Sequence, residues 1–78
     1  MKDKVSKKEI LKWLKRMKKE LEDVKVRDEK GKEFLENMNA YVNDCEHFLK
    51  KGELVLSFES IIWAWAYLTI SKELKLLE

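Results

Sequence analysis

The stretch Leu54–Ile70, LVLSFESIIWAWAYLTI, decides how this chain folds. Its apolar residues recur at helical spacing, but they do not make one stripe. Leu54, Phe58, Ile61, Trp65 and Leu68 form a first seam, with Val55, Ile62 and Thr69 beside it. Leu56, Ser60, Trp63, Tyr67, Ile70, Leu74 and Leu77 form a second at strict four-three spacing. At a helical turn of about 100° per residue the two seams lie roughly 180° apart. Ser57, Ala64 and Ser71 separate them on one flank and are small enough for a close helix approach; Glu59, the only charge in the stretch, separates them on the other. A helix that only closed a small core would need one stripe, so the second seam asks for a partner.

Outward from this segment, Lys50-Lys51-Gly52 reads as a helix stop, with cations at the C-terminus and glycine free to take the left-handed cap. The preceding helix carries Phe34, Met38, Tyr41, Cys45 and Phe48 in one row and Leu35, Val42 and Leu49 in the next, a broad apolar face. So short a link at Gly52 makes the second and third helices antiparallel. A charged connection, Lys25–Gly31, precedes the second helix, and its boundary falls between Asp28 and Lys32. The first helix opens on a capping box, Ser6-Lys7-Lys8-Glu9, with Val5 and Ile10 as a hydrophobic staple. Ile10, Leu14, Met17, Leu21 and Val24 then give one apolar stripe. The expected fold is all-α, a three-helix up-and-down bundle in one domain spanning 1–78, with helices at about 6–25, 30–51 and 53–76.

Composition agrees. Seventy-eight residues without proline and with two glycines, 45% hydrophobic and 41% charged, suit a compact helical domain rather than a disordered one. A domain this small buries only about 60% of the surface its unfolded chain exposes, so it needs dense packing or association. Cys45 is the single cysteine and His47 the single histidine, which leaves no disulfide within the chain and no metal set. Two positions apart, they face different directions on a helix; Cys45 joins the apolar row as an inert thiol. Glu59 and Asp44 lack an ExxH or ExxE partner, and Glu59 is expected to point to solvent. No catalytic or cofactor motif is present, and no enzymatic activity is expected. The N-terminus alternates lysines with apolar residues and does not form a signal peptide; with the lone thiol, this suits a reducing cytoplasm. The apolar run is seventeen residues and carries Glu59, short of the roughly 20 needed to span a bilayer, so no membrane is expected.

Charge is uneven. Residues 1–20 hold nine Lys/Arg against three acids, and the rest holds eight against twelve. Lys8, Lys12, Lys15 and Lys19, with Arg16 beside them, could track a phosphate backbone. Trp13 lies on the flank of the apolar stripe, away from the lysines, and is expected to pack rather than stack on bases.

The stretch Tyr41–Leu68 resembles a family of small archaeal proteins classed as domain of unknown function 357. The likeness runs through Tyr41, Asp44, Phe48, Leu49, the turn Lys51-Gly52-Glu53, then Ser57-Phe58-Glu59, Ile61, Ala64 and Leu68. Ser57 stands where alanine is usual, Trp63-Ala64 supply an aromatic-alanine step, and Thr69 replaces a frequent aspartate. The resemblance implies an archaeal cytoplasmic three-helix protein and brings no activity with it.

The functional expectation is a non-enzymatic interaction or self-association module, a homo-oligomer or a subunit docking on a helical protein. Leu56, Trp63, Tyr67, Ile70 and Leu74 would carry the contact, with no cofactor and no metal. The alternative is a nucleic-acid accessory protein binding through Lys8, Lys12, Lys15, Arg16 and Lys19.

Overall fold

Helix α1 spans Lys7–Glu22, α2 spans Glu29–Lys50 and α3 spans Leu54–Glu73 in the computed structural model, which describes residues 6–77. Each boundary has a local cause. Ser6 caps α1 by accepting from the Glu9 N–H at 3.0 Å; the staple residue Val5 lies outside the described residues. Asp28 settles the start of α2, its Oδ1 accepting from the Gly31 N–H at 2.9 Å. Helix α2 ends in a Schellman motif. Gly52 takes φ 78°, the Glu53 N–H reaches the Phe48 carbonyl at 2.9 Å, and the Gly52 N–H reaches that of Leu49 at 3.1 Å.

The same motif closes α3, three residues before the expected end, with a lysine in the glycine position. Lys75 takes φ 59°, the Leu76 N–H reaches the Ser71 carbonyl at 2.9 Å, and the Lys75 N–H reaches that of Lys72 at 3.1 Å. The tail therefore turns back. Leu77, expected on the second seam of α3, is instead buried in the core and forms an isolated antiparallel bridge with Val26. The Arg27 N–H donates to the Leu76 carbonyl at 3.2 Å. Helix α1 likewise stops at Glu22, and Val24 packs against the core from the connecting segment.

The bundle is elongated, 42 × 21 × 16 Å, with α3 packed along α2 and touching α1 more lightly. The core joins Ile10, Leu14 and Met17 of α1, Met38, Val42 and Cys45 of α2, Ile61, Ala64 and Leu68 of α3, and Leu77. On α3 the buried strip joins the small-residue flank, Ser57, Ala64 and Ser71, to Ile61 and Leu68 of the first seam and Ser60 of the second, while Leu54, Phe58 and Trp65 of the first seam pack half-buried against the core. Small side chains let α2 and α3 approach closely. The buried hydroxyls find acceptors: Ser57 Oγ donates to the Cys45 carbonyl at 2.7 Å, Ser60 to that of Leu56 at 2.9 Å, and Ser71 to that of Tyr67 at 2.6 Å. The half-buried residues of the two seams are thus the margins of the buried strip. One margin packs toward α1 through Trp65 and the other toward α2 through Tyr67.

Candidate interaction face

Burying the small flank turns the opposite side of α3 outward, and that side is apolar. Of the five residues expected at an interface, Leu56, Trp63, Ile70 and Leu74 are exposed, Trp63 at 56% and Leu74 at 60%. Tyr67 is not available in the same way. It lies half-buried, stacked on Tyr41 at 5.6 Å and edge-on to Phe34 at 5.4 Å, so its ring is largely used between α2 and α3. Val55 and Ile62, expected beside the first seam, are exposed at 62% and 49% and belong to the outer face. The signal for them was present in the sequence: they sit opposite Ser57, Ala64 and Ser71 on the helical wheel. Glu59 points outward within the patch, as expected, and Ala66 lies half-buried near its middle.

The patch is anchored from behind. Trp63 stacks on Tyr41 with centroids 6.4 Å apart, continuing the run Phe34–Tyr67–Tyr41 out to the surface. This holds one side of the indole while the rest faces solvent. By length and apolar content alone, the twenty residues of α3 would suffice to cross a membrane, although 33% of the apolar window is buried inside the fold.

The basic row of α1 is exposed along Lys8, Lys12, Lys15, Arg16 and Lys19. Its charges are partly engaged. Lys12 lies 3.5 Å from Glu9, and Lys12 and Arg16 sit over the Trp13 ring at 5.7 and 5.2 Å. Trp13 packs edge-on against Trp65 at 5.8 Å, and Trp65 Nε1 donates to the Trp13 carbonyl at 3.4 Å. The groove beside these rings is lined by Arg16 and Lys19 but also by Glu20 and Asp23. Interleaved acids of this kind weaken an anion site. Lys72 pairs with Glu20 at 3.1 Å, and Lys18 pairs with Glu46 between α1 and α2.

Cys45 is fully buried, its Sγ 3.3 Å from Ser57 Oγ. Burial pushes its thiol above the ordinary value, against a smaller lowering from the Ser57 hydrogen bond. His47 is exposed at the end of α2, edge-on to Phe48 at 5.6 Å. Among the described residues no group of three His, Cys, Asp or Glu side chains comes together as a metal site.

A family model described as a protein of unknown function, DUF357, matches residues 12–77. The crystal structure of a protein of that family from Archaeoglobus fulgidus is similar, with a TM-score of 0.84 and 38% sequence identity over 92% of this chain and 90% of that one. No curated protein matches the chain. The fold and the matched span agree, and the chain belongs to the DUF357 family, whose function is unknown.

Proposed function

We propose that this chain is a non-enzymatic interaction module of the archaeal cytoplasm that binds a protein, either a second copy or a helical partner, through the outer face of α3. One observation carries the reading. Val55, Leu56, Ile62, Trp63 and Ile70 of α3 and its cap residue Leu74 are all exposed, with Glu59 and Glu73 the acids on that face. Their exposed fractions amount to on the order of 600 Å² of side chain, the upper end of the largest patch on an ordinary monomer. Burying apolar area is worth about 25 cal/mol per Å² before the costs of association. Trp63 is the natural anchor, being large, aromatic and already held on one side.

The test is a photo-crosslinking amino acid placed at Ile62 and, as control, at Lys15 on α1, in the native cytoplasm. Adducts from Ile62 and not from Lys15 support the reading; adducts only from Lys15, or none, reject it. Adducts from Lys15 alone would turn attention to nucleic acid. That second reading is favoured by the charge of α1, which holds seven Lys/Arg against three acids. In that case a gel shift at low salt should weaken steeply as salt rises.

A further inference from the structure

We propose that the occupant of the α3 face is a second copy of this chain, its α3 paired antiparallel to the first. This rests on the reading of that face as an interaction surface and adds the partner and the geometry. Area is the first argument. Two copies would bring together on the order of 1,200 Å² of the patch side chains, the lower bound of a standard stable interface. The contact would be isologous, and a two-fold pairing closes at the dimer and leaves neither patch open.

The distribution of charge sets the direction. Glu59, Ala66 and Glu73 follow one another at heptad spacing along the outer face of α3. Val55, Ile62 and Thr69 flank this row on one side; Leu56, Trp63 and Ile70 flank it on the other. Parallel, in-register pairing would set Glu59 against Glu59 and Glu73 against Glu73 within a drying seam, where like charges cost most. Antiparallel pairing avoids this if Ile62 and Trp63 of one copy sit over Ala66 of the other. Large side chains then meet a small one. Glu59 falls opposite Thr69 and Ile70 of the second copy. Glu73 falls opposite Val55 and Leu56, at the wet end of the seam. All four acids of the pair are kept apart.

The experiment is sedimentation equilibrium on the full chain from micromolar to near-millimolar concentration. The expected species is a dimer. Ile62→Glu, at an exposed position away from the core, should raise the dissociation constant at least about 30-fold with helical content unchanged. Thr69 reports direction, because in the antiparallel pair it faces Glu59 of the other copy. Thr69→Lys should tighten the dimer and Thr69→Glu should loosen it, each by roughly threefold or more. In a parallel pair position 69 would face itself, so loosening by both variants overturns the geometry. A strict monomer throughout, or a dimer unaffected by Ile62→Glu, overturns the self-pairing. If the chain is monomeric but the Ile62 crosslinker captures a different protein, only the self-pairing falls. If the face instead inserts into phosphatidylglycerol vesicles and yields no protein adduct, both readings fall.

Discussion

Replacing Gly31 with alanine should destabilise the protein, although alanine is the better helix former. Gly31 is buried in the first turn of α2, with its N–H on Asp28. A Cβ there would lie 2.4 Å from the Leu76 carbonyl oxygen and 3.2 Å from its carbon. Both are backbone atoms and cannot swing aside as a side-chain tip would, so the returning tail must lift. The gain is the glycine-to-alanine helix propensity, about 1 kcal/mol. The loss is the burial of Leu77, about 1.5–3 kcal/mol, and the Arg27–Leu76 hydrogen bond, about 1 kcal/mol net. The expected balance for Gly31→Ala is a loss of about 1.5–3 kcal/mol. Urea unfolding followed by circular dichroism measures it. Repeating the substitution in a chain ending at Lys75 isolates the cause, since the clash is then absent and alanine should stabilise. A Gly31→Ala protein more stable than the parent, or equally weakened with and without the tail, would refute the reasoning.

Lys75→Gly should stabilise by about 1 kcal/mol in thermal or urea unfolding, because a lysine in the left-handed region carries roughly 1–2 kcal/mol that glycine avoids, less the added freedom of the unfolded chain. Ala64→Leu should cost about 1–3 kcal/mol by forcing α2 and α3 apart at a position with no exposed surface. Cys45 gives a pH signature. Burial raises the thiol's folded value, so the unfolded chain loses its proton first. Stability from this group is complete below the ordinary thiol value and falls as pH rises through it, by at most about 1.4 kcal/mol per pH unit. Urea midpoints taken from neutral to alkaline pH should show this slope in the parent and lack it in Cys45→Ala. A native thiol that labels as fast as the unfolded one would contradict the burial.

The fold was legible because its punctuation is chemical. Ser6 with Glu9 and Lys50-Lys51-Gly52 each name a backbone group and the atom that satisfies it, whereas the start of α2 stayed open between Asp28 and Lys32 because a glycine, Gly31, stands in its first turn. The end of α3 was not legible for the converse reason. A lysine in the left-handed region has no sequence signature, and Leu77 falls on the four-three spacing of the second seam by coincidence. Periodicity continued through a break that the chain makes at Lys75. Val24 deceived in the same way at the end of α1. On α3 the small flank Ser57, Ala64 and Ser71 was legible as a place of close approach, but hydrophobic patterning ranks side chains by apolar size and so set the exposed Val55 and Ile62 beside the first seam. Close helix packing selects for small volume, so Ser57, Ala64 and Ser71 share the interior with Ile61 and Leu68, and the half-buried Trp65 and Tyr67 are its borders.

That inversion explains why so apolar a helix sits at the surface of a small domain. A helix hydrophobic all round is ordinarily buried all round. Helix α3 buries only the side that faces α2 and α1, and its small side chains let α2 lie close. The borders are then used unequally. Trp65 is held by Trp13, and Tyr67 by Tyr41 and Phe34, while Trp63 receives one ring, Tyr41, among the described residues. A ring supported on one side and open on the other loses less freedom on binding than a free side chain, so more of its burial remains as affinity. The run of rings between α2 and α3 therefore does two things. It closes the bundle at Phe34 and Tyr67, and at Trp63 it holds an exposed apolar surface in place.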